Sequence, residues 1–241
     1  MTPDALTALI DATWPAAAMT VQNGWAIREG GGGGSRVSAA TATTAARPDE
    51  HPLAARAMQA LGQTPLFMVR TGEDALDIAL DAAGYHIKDA TTLYEAPVAT
   101  LATGRPPPVT CFQVWPPLAV QAEIWSAGGI GPARLAILHR AADPKTTVLG
   151  RLNDTPAGTA FAAIHQGTAM LHAIETAAAF RRQAMARHMI HALAHWAQDQ
   201  GAQTVALLVT RANAGANALY TSLGMTPVGG YHYRIAPKET P

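Results

Sequence analysis

Phe180 to Ala186 reads F-R-R-Q-A-M-A and sits at the seam between an alternating apolar run and a helical one. Upstream, Gly167 to Thr176 (G-T-A-M-L-H-A-I-E-T) alternates as a half-buried strand does; downstream, Met185 to Gln200 carries apolar residues at helical spacing. Such a seam points the unpaired first amides of a helix at an anion, and the two arginines add positive charge. The stretch predicts a cradle for a diphosphate.

Working outward, Gly201 ends a turn, Thr204 to Thr210 (T-V-A-L-L-V-T) reads as a buried strand, and Asn213 begins a helix closed at Gly224. Tyr231 to Ile235 is a last strand. Before the seam come a strand at Phe112 to Trp115, a helix at Leu118 to Ala127, and the loop Gly128 to Gly131. Pro132 then suits the first position of another helix, and Thr147 to Leu152 and Ala157 to His165 form a hairpin. Ala102 to Val109 (A-T-G-R-P-P-P-V) reads as a stiff linker, dividing the chain into 1–103, a linker at 104–108, and 109–241.

The first part repeats the alternation. Asp4 to Ala12 is helical, stopped by Trp14-Pro15; Asp49 to Leu61 and Glu73 to Ala83 are helices; Pro65 to Arg70 and Tyr85 to Glu95 are strands. Trp25 to Arg28 and Arg36 to Thr41 read as strands flanking five consecutive glycines, Gly30 to Gly34. No Gly-Lys-Ser/Thr follows, so the run is taken as a flexible hairpin turn and not as a nucleotide loop. The order of elements predicts an α/β (α+β) fold, a sheet with helical cover.

Composition narrows the partner. Lys plus Arg and Asp plus Glu both number 17, so no basic excess calls for nucleic acid or an anionic membrane. The lone Cys111 forms no internal disulfide and no cysteine zinc set, which is compatible with a reducing cytoplasm. The opening residues lack a basic leader, and no apolar stretch approaches the roughly 18–20 residues of a membrane span. A soluble, cytoplasmic protein with a small-molecule or peptide partner is expected, and a monomer is compatible with the sequence.

Leu66 to Ala96 runs in the same order as Leu207 to Ala236: strand, helix, Gly-terminated turn, strand. The pattern reads as a degenerate duplication, with coincidence of a common α/β order as the competing explanation. Where the second half has Phe180 to Ala186, the first has Arg47 to Pro52 (R-P-D-E-H-P), whose carboxylates would repel a diphosphate. Counting back from each closing glycine, Leu80 stands where the second half has Tyr220.

Over roughly Val109 to Ile235 these residues resemble the GNAT superfamily of acyl-CoA N-acyltransferases. R-R-Q-A-M-A is similar to that family's Q/R-x-x-G-x-G/A loop, and R-A-N-A-G-A-N-A-L-Y-T-S-L-G-M to its Asn...Ala-x-x-Leu-Tyr-x-x-x-Gly-Phe signature. The whole chain resembles tandem GNAT proteins with a degenerate N-terminal copy, which implies two GNAT-like domains, 1–103 degenerate and 109–241 catalytic, each a mixed, mostly antiparallel twisted sheet flanked by helices. The resemblance implies an acetyl-CoA-dependent N-acetyltransferase, with acetyl-CoA as co-substrate and no metal. It implies that Arg181, Arg182, Gln183, Ala184, Met185 and Ala186 wrap the CoA diphosphate, that Ile174 and Thr176 offer backbone hydrogen bonds to the pantetheine arm, and that Asn213 lines the cofactor cleft. Tyr220 would be general acid for the departing thiolate. Ala184 departs from the pattern, standing where the family normally has its first Gly; its methyl either crowds the diphosphate or is harmless if the residue is already helical.

For the base, His172 matches a histidine of the arylalkylamine acetyltransferases, the competing role being a hydrogen-bonded core histidine. Glu175 is a second candidate, as a structural or amine contact. Three apart on a regular strand, the two point to opposite faces, so only one would reach the cleft. Trp115, Glu123, Trp125, Tyr231 and Tyr233 are candidates for the acceptor pocket, with packing the alternative for the tryptophans. His188, His191 and His195 share a helical face but lack an acidic partner, so a polar surface is favoured over a metal site. A sensor that keeps the cleft without chemistry is the alternative function.

Overall fold

The computed structural model describes residues 1–237. Helix α1 (Pro3–Thr13) leads to strands β1 (Ala18–Gln22) and β2 (Trp25–Glu29), a single turn α2 (Ser35–Ser38) and the short strand β3 (Thr41–Ala42). Then come α3 (His51–Ala60), β4 (Leu66–Arg70), α4 (Asp74–Ala82), β5 (His86–Pro97) and the single turn α5 (Val98–Leu101). The remainder is β6 (Cys111–Val114), α6 (Ala119–Ala127), α7 (Pro132–Arg140), β7 (Lys145–Leu152), β8 (Thr155–His165), β9 (Thr168–Thr176), α8 (Met185–Asp199), β10 (Thr204–Thr210), α9 (Ala214–Ser222) and β11 (Thr226–Ile235).

The reading around the glycine run is corrected. Its hairpin turn falls earlier, at Asn23-Gly24, both with positive φ, joining β2 to a strand β1 that the reading omits. Asn-Gly is the stronger hairpin signal because both residues tolerate the left-handed backbone that such a turn requires. Nor are Arg36 to Thr41 one strand: α2 takes Ser35–Ser38 and β3 only Thr41–Ala42. The glycines themselves form a packed loop. A Cβ on Gly33 would lie 2.8 Å from both Ile137 Cδ1 and Val37 Cγ2, so only glycine lets this backbone close onto α7.

Two sheets form. A small antiparallel one has the order β1-β2-β3; the large one runs β4-β11-β5-β10-β9-β8-β7-β6. The units β4-α4-β5 and β10-α9-β11 are the two segments that align in the sequence, and they exchange strands. Strand β5 pairs β10 from Thr204↔Pro97 to Thr210↔Thr91, β4 pairs β11 from Tyr231↔Arg70 to Ile235↔Leu66, and β5 and β11 pair with each other. Strands from both sides of 104–108 thus enter one sheet, arranged about a pseudo-twofold between β5 and β11.

Apolar spacing decides the layers. One face buries Met185, Met189, Ile190, Leu193 and Trp196 of α8 against β7 to β10. The opposite face is covered by α1, through Leu6, Leu9 and Ile10, and by α6 and α7, through Trp125, Ile137 and Leu138. In the first half, His51 at the start of α3 packs edge-on against Phe67 and Tyr85, with ring centroids 6.1 and 5.9 Å away. Aromatic rings therefore fill the space between the start of α3 and β4.

Candidate active site

The large sheet parts at one place. Strands β9 and β10 run parallel from Thr168↔Thr204 to Leu171↔Leu207, and then β9 continues to Thr176 and β10 to Thr210 without pairing. At that fork β9 carries a bulge: His172 faces Phe161 and Glu175 faces Thr159, so three steps on β9 match two on β8. Ala173 takes φ 49° there, and the buried Trp125 donates from Nε1 to its carbonyl at 2.7 Å. The extra residue overturns the alternation expected for a regular strand. His172 packs on Trp14 and Phe161, while the Glu175 side chain lies against Gly128, so both occupy the α1/α6 face and Ile174 alone joins the α8 core.

Beyond the fork, 178–180 form a 3-10 turn and α8 starts at Met185. Arg182 and Ala184 are left-handed, at φ 65° and 61°, and Gln183 between them is not. Alternation of this kind turns successive amides to one side, a concavity suited to an anion. Among the described residues the amides of Arg182 to Arg187 have no hydrogen-bond partner. Arg181 spans to Glu175 Oε1 at 3.2 Å, and Gln183 turns back to the Ala179 carbonyl.

Ala184 is not right-handed helical but αL, at φ 61°, ψ 5°. Its Cβ therefore carries the left-handed strain of roughly 1–2 kcal/mol, against about 0.5–1 kcal/mol of extra chain entropy that glycine loses on folding. Ala184→Gly is expected to stabilise the fold by about 0.5 kcal/mol, read as a rise in the urea midpoint at constant slope.

Tyr220, on α9, is 7% exposed and packs on Tyr94 of β5 with centroids 5.8 Å apart. Burial pushes its phenol up to about 12, so it stays protonated across the neutral range. Tyr220 Oη has no hydrogen-bond partner among the described residues, yet it is not one of the fully buried polar atoms left alone, Trp25 Nε1 and Glu95 Oε1. Its oxygen therefore reaches open space. Asn213 caps α9, accepting from the Ala216 amide at 3.1 Å, and Asn217 accepts from Tyr94 Oη at 3.2 Å, tying α9 to β5.

On the α1/α6 face lies a cleft of about 310 Å³ whose wall includes Ala173 and Thr210, the residues at the fork. Tyr231 and Tyr233 line it, while the alternate residues His232 and Arg234 turn away to Asp77 and Asp81 of α4. Trp115, Glu123 and Trp125 do not line it: Trp115 stacks near His139 and Phe161, Glu123 is exposed on α6, and Trp125 holds the bulge. Sequence reasoning missed Trp14, Arg36, Asp89 and Arg134, which do. The glycine run ahead of Arg36 was the available signal, since glycines mark close approach of backbone as well as turns.

His172 is 3% exposed, and burial followed by the Arg36 charge holds it well below the usual imidazole range. Arg36 Nη1 lies 3.3 Å from Nδ1, and Thr13 Oγ1 3.0 Å from Nε2. A guanidinium only donates, so Nδ1 accepts and the proton sits on Nε2, directed at Thr13, whose hydroxyl donates in turn to the Leu9 carbonyl at 2.7 Å. Both ring nitrogens are engaged. Glu175 Oε2, by contrast, has no partner among the described residues. His191 and His195 dock the linker, through the carbonyls of Leu101 and Gly104, and no group of three His, Cys, Asp or Glu among the described residues could hold a metal ion.

The fold is thus a mixed sheet forked beside a bulge, with a helix start after the fork. It superposes on a GCN5-related N-acetyltransferase from Kribbella flavida with TM-score 0.73 at 19% identity, covering 97% of this chain and 95% of that one. A functionally unknown conserved protein from Staphylococcus epidermidis gives 0.66 at 14% identity, over 93% and 95% of the two chains. A tandem GNAT protein from the clavulanic acid biosynthesis pathway gives 0.57 at 16% identity, over 76% and 67%. No curated protein matches by sequence. Residues 110–225 match the acetyltransferase (GNAT) family. That match supports acyl-CoA-dependent N-acetyltransferase activity as a class.

Proposed function

We propose that this protein transfers an acetyl group from acetyl-CoA to a primary amine of a small molecule or peptide, using one cofactor site in the second half of the chain. The observation that carries the reading is the fork: β9 parts from β10 beyond Leu171, beside a loop whose amides from Arg182 to Arg187 are unpaired among the described residues. Those amides and the α8 N-terminus would hold a diphosphate, and the edge of β9 at Ile174 and Thr176, where Arg181 Nε donates to the Thr176 carbonyl at 3.3 Å, would take the pantetheine arm once Arg181 turns to the diphosphate. The bound thioester supplies the activated acyl carbon. Tyr220 holds a proton at Oη, and Glu175 is the candidate base with an open lone pair. His172 positions Arg36 instead, because proton uptake at Nδ1 would break its contact with the guanidinium.

The first half, 1–103, is read as a degenerate copy joined through 104–108. Asp49 and Glu50 precede α3, and Leu80 replaces the phenol. The test is thiol release from acetyl-CoA over a panel of amines. Stabilisation by acetyl-CoA with no release from any amine would favour a sensor. No helix among the described residues is long and apolar enough to cross a membrane, in keeping with the proposed cytoplasmic setting.

A further inference from the structure

The cleft beside the fork is built by both halves of the chain, and its charges are unbalanced. From the first half come Trp14, Gly33, Ser35, Arg36 and Asp89; from the second, Arg134 and the Tyr231/Tyr233 pair. Three other arginines with guanidinium groups at most 7% exposed each have a carboxylate: Arg28 with Asp11, Arg70 with Glu73, Arg234 with Asp77. Arg36 is half-buried and has none among the described residues. It donates from Nε to Tyr231 Oη at 3.3 Å, with the Tyr233 hydroxyl close by, and Nη1 meets His172 Nδ1 at 3.3 Å; among the described residues Nη2 has no partner at hydrogen-bond distance and angle. Tyr233 donates to Tyr231, so the acceptor side of this pair is turned toward Arg36.

Arg134 reinforces the excess. Its guanidinium lies 3.1 Å from where a Cβ on Gly34 would sit, so the glycine admits it to the wall, and among the described residues it has no carboxylate partner. The one acid in the wall, Asp89, is 3.9 Å from Lys88 Nζ, and Lys88 also donates to Ser35 Oγ at 3.1 Å. Among the described residues the half-buried Arg36 and the exposed Arg134 thus lack a carboxylate partner at a cleft of about 310 Å³, a volume suited to an amino-acid-sized ligand. Because His172 adjoins the bulge at Ala173, Arg36 lies beside the fork, and its ligand's anion and amine must be only a few bonds apart.

We infer that the acceptor is a compact amine bearing a carboxylate, held in this cleft by Arg36 with help from Arg134. This rests on the acetyltransferase reading for the reaction but not for the binding. A planar carboxylate matches the free edge of a guanidinium through paired hydrogen bonds, and its loss strands a charged donor in the wall.

The experiment compares amino acids with their methyl esters, their decarboxylated amines and phosphorylated amines of similar size, by thiol release from acetyl-CoA. Wild-type protein is expected to favour the free acids by about 50-fold in kcat/KM, the span expected of a hydrogen bond to a charged group. Arg36→Gln should shrink that ratio to about threefold or less, and Arg134→Gln, an exposed change that leaves the core intact, should shrink it several-fold. In parallel, N-acetylated amino acids, titrated calorimetrically, should bind wild-type protein and bind Arg36→Gln at least about tenfold more weakly. Esters or phosphorylated amines equal to or better than the acids would overturn the inference and leave the acetyltransferase reading standing. Acetyl-CoA bound but never consumed would sink that reading, and the titration would still decide the cleft: binding that depends on Arg36 supports a carboxylate ligand, and no binding overturns it.

Discussion

Replacing Tyr220 with phenylalanine is expected to lower kcat for amine acetylation by about a hundredfold, the low end of what a positioned general acid contributes. The ring would remain packed on Tyr94, 5.8 Å away, and no hydrogen bond within the described residues is lost, because Tyr220 Oη makes none. The fold and the KM for acetyl-CoA should therefore change little. What disappears is a proton held by a phenol that burial keeps at about 12, hence protonated at every pH where an amine is acetylated. A leaving thiolate would then have only water to draw on. Steady-state kinetics with a saturating amine measure this, and an unchanged kcat would remove Tyr220 from the chemistry.

The largest expected effect on stability is at Asp11. Its carboxylate binds Arg28 in two bonds, Oδ1 to Nε at 2.8 Å and Oδ2 to Nη2 at 2.7 Å, and the guanidinium is 2% exposed. Arg28 Nη1 also holds the Ala39 carbonyl and Thr41 Oγ1, so the pair fastens α1 to β2 and to the segment that follows Arg36. Asp11→Ala would leave a buried cation unpaired, a loss of about 3 kcal/mol at the low end for buried pairs because Asp11 itself is 23% exposed. The exposed pair Arg151–Asp154, with Asp154 94% exposed, serves as the control, and breaking it should cost below about 1 kcal/mol. Equilibrium urea denaturation measures both. Equal losses would show that the buried pair contributes no more than a surface one.

Most elements were legible in the sequence because each is a local decision. Pro3 and Thr2 start α1, Gly224 ends α9, and the apolar spacing of α8 shows which side it buries. Three features were not. The exchange of β4 and β5 with β10 and β11 is a choice among pairing partners, and nothing within one strand names its neighbour. The bulge at Ala173 depends on Trp125, some fifty positions upstream, so period-two counting placed Glu175 on the wrong face relative to His172. The glycine run looked like a turn because glycine permits turns; here it permits contact with α7 and brings Arg36 to the cleft.

The candidate site divided along the same line. The loop from Arg181 to Ala186 and Tyr220 carry their signature in short runs of sequence; the loop follows β9 directly, and Tyr220 packs on Tyr94 of β5. The acceptor cleft is assembled from Trp14, Arg36, Asp89, Arg134 and the tyrosines of β11, residues that no spacing connects. Of the five acceptor-pocket candidates only Tyr231 and Tyr233 line it, and their alternation along β11, a strand paired on both sides, was the single clue available.

The most direct measurement is the free thiol released when the protein is mixed with acetyl-CoA and a panel of primary amines that includes amino acids. The account predicts release that requires both the protein and an amine, and acetyl-CoA bound at one site per chain. Failure to bind acetyl-CoA, or binding at one site with no amine ever consuming it, would contradict the account.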